Sequence, residues 1–109
     1  MIEHLVALHL APDHDAAKLR AVMQGLAGLT GRIEGMIGFA HGPNRDFEGR
    51  SAPYGYGFVA RFADVRAHHA YLEDPGHKAL GAELTALCAG GAQGILVVDL
   101  DTGSGTAAA

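Results

Sequence analysis

Tyr71 and His77 stand on either side of Asp74-Pro75 in the segment Tyr71-Leu-Glu-Asp-Pro-Gly-His77. A phenol and an imidazole facing one cavity bind an oxyanion and move a proton near neutral pH. On a straight helix, side chains six residues apart point to different sides. Proline disfavours helical geometry in the residue before it, so the chain is predicted to turn at Asp74. The turn lets Tyr71 and His77 converge. His77 would then take a proton from a carbon acid, and Tyr71 would donate a hydrogen bond to the developing enolate. The plainer alternative bonds His77 to a backbone carbonyl and makes it a prop for the Pro75 corner.

Three further side chains are candidates for the wall of the same cavity. His4 shares a strand face with Val6 and Leu8 and would tune His77; a core histidine satisfied by a neighbour is the competing reading. Tyr56 and Phe58 are candidate substrate-binding aromatics, set against simple core packing for Phe58 and a partnered hydroxyl for Tyr56. His68 and His69 are adjacent on a helix, about 100° apart, and are not expected to chelate one ion together. No His-x3-His or Cys-x2-Cys spacing occurs, so no metal site and no cofactor are expected. Gly42-Pro43-Asn44 is not a phosphate loop. Cys88 lies on an apolar face with Leu84 and Leu87 and reads as a buried structural thiol.

The elements that must position these residues follow from periodicity. Ile2 to Leu10 alternates and reads as a strand buried on much of both faces. Pro12 to Asp15 is a turn with capping residues. Leu19, Val22, Met23, Leu26 and Leu29 mark an amphipathic helix, ended by Gly28 and Gly31. Ile33 to His41 is a second strand. Asn44 to Pro53 is polar, without apolar period, and reads as a mobile loop. Tyr54 to Phe62 alternates as a third strand with a one-sided aromatic face. Asp64 caps a short helix through Glu73. Beyond Pro75 a third helix carries His77, Leu80, Leu84, Leu87 and Cys88 on one face, closed by Gly90-Gly91. Gln93 to Leu100 is the last strand. The order is that of an α+β, ferredoxin-like split βαβ fold: a four-stranded antiparallel sheet with helices on one face.

Composition bounds the rest. A chain of 109 residues, 49% hydrophobic, is expected to form one domain rather than a disordered segment. The domain is placed at residues 1–101, with a disordered tail at 102–109. Sixteen glycines and no tryptophan imply a small core, and a second copy is expected to cover the free face of the sheet. The net charge is −4 and the eight basic residues are scattered, so no nucleic-acid interface is expected. Apolar runs such as Ile95 to Val98 fall far below the ~20 residues of a membrane span. No signal-peptide pattern opens the chain, and one cysteine forms no internal disulfide, so a cytoplasmic location is expected.

Several segments together resemble the stress-responsive dimeric α/β-barrel family, Dabb. They are Ile2-Glu-His-Leu-Val6, Gly42-Pro43-Asn44, Tyr56-Gly-Phe-Val-Ala-Arg-Phe62 followed by Tyr71, Asp74-Pro75-Gly76-His77, and Val97-Val98-Asp99. The resemblance runs from residue 1 to about 101. It implies a homodimer whose two sheets pack into a dimeric α/β barrel. It also implies a kinship with plant polyketide cyclases, which fold a poly-β-keto thioester by aldol condensation without metal or cofactor. Their catalytic pair falls on Tyr71 and His77, and a pocket histidine falls on His4. A further histidine falls on position 56, where this chain has Tyr56.

The function expected is binding of a small apolar or carbonyl-containing molecule by a homodimer, with no assigned reaction. The alternative is a cofactor-independent, cyclase-like lyase using His77 as general base and Tyr71 as hydrogen-bond donor. The related antibiotic-biosynthesis monooxygenases form a third class, against which the Pro-x-His corner argues.

Overall fold

The computed structural model describes residues 1–103. The chain runs β1 (Ile2–Leu8), α1 (Ala16–Gly28), β2 (Met36–Pro43), β3 (Tyr56–Phe62), α2 (Val65–Glu73), α3 (Pro75–Ala86), β4 (Ile95–Asp101). Short 3-10 turns follow α1, at Leu29–Gly31, and precede β4, at Gly91–Gly94. The strands form one antiparallel sheet in the order β2-β3-β1-β4. This is the ferredoxin-like α+β arrangement expected from the element order.

Alternation along β1 divides the sheet into two faces. His4, Val6 and Leu8 pair with Ala60, Phe58 and Tyr56 of β3, and this face lies under the helices. It joins Leu19, Val22, Met23 and Leu26 of α1 in the core. The opposite face carries Leu5, Val59, Leu96, Val98 and Leu100, of which all but the partly buried Val59 are exposed. A sheet face of this kind is apolar surface without cover in the isolated chain.

Side-chain caps set the helix starts. Asp15 accepts from the backbone N–H groups of Ala17 and Lys18, and Asp64 accepts from that of Ala67. Asp74 is extended, with ψ 128°, and caps α3 through the N–H of His77 at 2.9 Å. Pro75 is the first residue of α3, where its missing N–H is no loss. Asp74 also takes two hydrogen bonds from the Arg32 guanidinium, at 2.8 and 2.7 Å. Gly35, at φ +87°, lets α2 approach the start of β2 closely: a Cβ there would lie 2.6 Å from that of Ala67.

Four expectations need correction. β1 ends at Leu8, and Leu10 makes only an isolated bridge to Cys88. Ile33 belongs to the turn before β2, where its N–H bonds the Leu29 carbonyl, and β3 begins at Tyr56 rather than Tyr54. The segment expected to be a mobile loop is internally tied. Asp46 accepts from the Arg50 N–H, the Ser51 N–H and the Ser51 hydroxyl, which together hold its carboxyl below the usual range. Asn44 donates to Ser51 and to the Tyr54 carbonyl. Of the expected tail, residues 104–109 lie outside the described part. Thr102 donates to the Met1 carbonyl, and the Met1 amino group donates to the Gly103 carbonyl.

The hydrogen bonds from Arg32 and the His77 N–H hold the Asp74 carboxyl at about 2. Because the folded value lies below the unfolded one, this carboxylate adds stability that is complete above about pH 4 and is lost as pH falls toward about 2. Thermal unfolding followed by circular dichroism should show a smaller fall in Tm between about pH 5 and pH 2 for Asp74→Asn and for Arg32→Ala than for the parent chain.

Candidate functional site

The Asp74 corner brings the last turn of α2 against the first turn of α3. The rings of Tyr71 and His77 stand with centroids 4.0 Å apart. Tyr71 is fully buried, and His77 is half-buried. The Tyr71 hydroxyl and His77 Nδ1 are both buried and make no hydrogen bond among the described residues. Burial pushes the Tyr71 phenol well above its ordinary value, so it stays protonated and can donate. Burial, aided by the charge of a protonated His4, pushes His77 down; the Leu72 carbonyl and Asp74 pull weakly the other way. His77 is therefore a neutral imidazole at pH 7.

His4 comes to the same place from the centre of the sheet. Its ring centroid lies 5.7 Å from that of Tyr71 and 6.2 Å from that of Phe58. The register sets Asp99 of β4 directly opposite His4, so the two side chains share a face. His4 Nδ1 donates to Asp99 Oδ1 at 2.5 Å.

His68 is a fourth member that sequence reasoning missed. On α2, Ala67, His68 and Tyr71 are buried together because positions i and i+3 share a helix face, while His69 turns to solvent. The His68 ring sits 4.9 Å from His4 and 5.1 Å from Phe62. The signal was present in the sequence as phase: His68 is three residues before Tyr71.

Tyr56 does not join this cluster. It lies opposite Leu8, at the far end of β3, and its hydroxyl shares a 2.6 Å hydrogen bond with His41 Nδ1 of β2. A histidine thus stands beside position 56, supplied by the neighbouring strand. Phe58 is a buried core residue, with its ring 5.1 Å from Phe39.

Where the cavity was expected, between sheet and helices, the rings gather closely, His4 lying 4.9 Å from His68 and 5.7 Å from Tyr71. A cavity of about 630 Å³ opens on the other face, between the sheet and the segment after β2. Leu5, Ala7, Val59, Leu96, Tyr54 and Arg50 are among its lining. It belongs to the face that lacks cover, and the unpartnered polar atoms do not line it.

A four-stranded sheet with helices on one face and an uncovered apolar face defines the ferredoxin-like class that pairs into α/β barrels. The chain belongs to the stress responsive A/B barrel domain family, Dabb, whose model matches residues 2–102. It is similar to a dimeric ferredoxin-like protein of unknown function from Jannaschia sp. CCS1: 42% identical, covering 93% of this chain and 98% of that one, TM-score 0.88. At3g17210 from Arabidopsis thaliana is 21% identical over 97% of this chain and 99% of that one, TM-score 0.80. A hydroxynitrile lyase from Passiflora edulis is 13% identical over 91% of this chain and 90% of that one, TM-score 0.69, a likeness of fold. No curated protein matches the chain.

The Tyr71 hydroxyl makes no hydrogen bond among the described residues, so removing it breaks none of theirs. Tyr71→Phe should unfold in urea within about 0.5 kcal/mol of the parent chain. A loss of 2 kcal/mol or more, on the scale of about 1–3 kcal/mol for orphaning a buried partner, would show a structural bond instead.

Proposed function

We propose that the protein is a homodimeric domain that binds a small apolar molecule carrying a carbonyl or oxyanion, held by the Tyr71 hydroxyl and His77. The observation that carries this reading is the pair itself. Two buried polar atoms, Tyr71 Oη and His77 Nδ1, stand on rings 4.0 Å apart without partners among the described residues. Buried polar atoms are normally satisfied, and a ligand oxygen that accepts from Tyr71 would satisfy its hydroxyl. His4 and Phe58 back the site; Tyr56 stands apart from it and supports the ligand only if the molecule extends along β3.

The homodimer rests on the apolar outer face. Leu5, Leu96, Val98 and Leu100 are exposed there on adjacent strands, and burying them against a second copy removes this surface from water. The relative from Jannaschia sp. CCS1 is described as dimeric. The domain is taken to span residues 1–101 and to work in the cytoplasm.

A second reading is favoured by one observation: His77 is neutral at pH 7 because burial opposes its charge. A neutral imidazole beside a protonated phenol is a general base beside an enolate donor. Under that reading the protein is a cofactor-independent, polyketide cyclase-like lyase. Tyr56 in place of a pocket histidine is a departure from those cyclases, which is why binding is preferred.

Titration calorimetry with benzoylacetone, an apolar β-diketone, tests the binding reading. His77→Ala and Tyr71→Phe should each weaken binding at least tenfold with Tm unchanged. A His77→Ala chain that instead melts lower, with unaltered affinity, overturns it. For the second reading, His77→Ala should abolish cyclisation of a β-keto thioester while the protein stays folded. Light scattering tests the dimer: the parent chain should show twice the 11.3 kDa chain mass, and Val98→Glu the single mass.

A further inference from the structure

His68 poses a question that ligand binding at Tyr71 and His77 does not answer. Its residue is 8% exposed, and Nε2 is buried with no hydrogen bond among the described residues. An isoleucine or leucine would fill the same space on α2 without burying an unmet nitrogen. That nitrogen lies 3.7 Å from Asp99 Oδ1, too far for a hydrogen bond. The same Oδ1 is 2.5 Å from His4 Nδ1. Three potential ligand atoms, from β1, α2 and β4, lie within 4.8 Å of one another.

We propose that His4, His68 and Asp99 form a binding site for a divalent transition-metal ion of the zinc class, with two imidazoles and one carboxylate as ligands and the remaining position open. Zinc takes imidazole nitrogen and carboxylate oxygen at about 2.0–2.2 Å, which sets tetrahedral ligand atoms roughly 3.3–3.5 Å apart. The two observed distances to Asp99 Oδ1 bracket that spacing. Asp99 is on the edge strand with its side chain 43% exposed, so it can shift by under about 1 Å away from His4. Both histidines are held by packing: His4 lies between Phe58 and Phe62, and His68 against Phe62. Ligation through His4 Nδ1 takes the neutral Nε2–H tautomer, so the proton that Nδ1 now shares with Asp99 moves to Nε2 and the His4–Asp99 hydrogen bond is exchanged for two metal–ligand bonds. The exposed carboxylate marks the path of entry.

Two imidazoles with one carboxylate suit zinc and its first-row neighbours over magnesium or calcium, which take oxygen ligands. Sequence spacing predicts no such site because the ligands come from three separate elements. The proposal goes beyond the ligand reading and does not depend on it, since neither Tyr71 nor His77 supplies a ligand.

The test uses the full chain, tag-free and freed of metal by chelator, titrated with zinc chloride in a calorimeter and with cobalt(II) in a spectrophotometer. One zinc ion per chain is expected, with His68→Leu and Asp99→Asn each weakening it at least about 100-fold. His69→Ala should leave the affinity unchanged, since His69 faces solvent. Cobalt should give the visible bands of a low-coordinate site, absent in His68→Leu. Failure to take up zinc, or an affinity that both variants leave unchanged, overturns the proposal. Should His68→Leu not fold, Asp99→Asn decides, because its side chain lies at the sheet edge.

Discussion

Asp74 is the constraint on which the site depends. Its extended backbone ends α2, its carboxylate begins α3 by capping the N–H of His77, and two hydrogen bonds from Arg32 tie that carboxylate to the turn after α1. The residue it caps is the candidate general base itself. Rotation about this corner would move His77 and leave Tyr71 behind, because Tyr71 is fixed in the core by Phe62 at 4.9 Å. A charge-assisted fork between guanidinium and carboxylate is directional in a way that apolar packing is not. It therefore sets the angle between the two helices, and with it the 4.0 Å approach of the two rings.

The sheet supplies the second half of the site. β1 lies between β3 and β4, so His4 has Ala60 on one side and Asp99 on the other. Ala60 is small and leaves the space above it to rings from the helices. Phe58 and Phe62, two residues to either side, wall that space. At the edge the helices give way, and Asp99 is reachable by solvent while its partner His4 is not. The cluster is thus graded from an apolar interior at Phe62 to an open carboxylate. The other face of the same sheet follows an opposite rule. Leu5, Leu96 and Val98 stand exposed there, and the Glu3–Arg61 ion pair lies on the two central strands of the same face.

How much of this was legible in the sequence depended on the range of each interaction. The corner was, because a proline acts on the residue before it and an aspartate caps three residues ahead. The amphipathic helix and alternating strands were, because their periods are local. Strand limits were less so: Leu10 and Ile33 continue an apolar pattern, yet one ends in a bridge to Cys88 and the other turns toward Leu29. Nothing in spacing paired Tyr56 with His41, because cross-strand neighbours depend on register, and β2 is interrupted by a bulge after Met36. The segment from Asn44 to Ser51 lacks apolar period, but its order comes from side-chain to backbone hydrogen bonds. For His68 the helical phase was readable, while the strand residue facing it was not.

The cluster's composition argues against a purely structural role. A fold that needed only to fill the space under α2 would place branched aliphatics there, as α1 does with Leu19, Val22 and Leu26. Instead three imidazoles and a phenol share one small volume, and three of their polar atoms find no partner among the described residues. Each imidazole disfavours charge on the next: His4 pushes both His68 and His77 down, as burial does. Burial and this repulsion both favour the neutral forms of His68 and His77. Neutral imidazole is the form that takes a proton from carbon and the form that ligates a metal, and a buried phenol is the form that donates to an oxygen. The proposed organic ligand and the proposed ion would each use a different part of one cluster, the first at the helix corner and the second at the sheet edge.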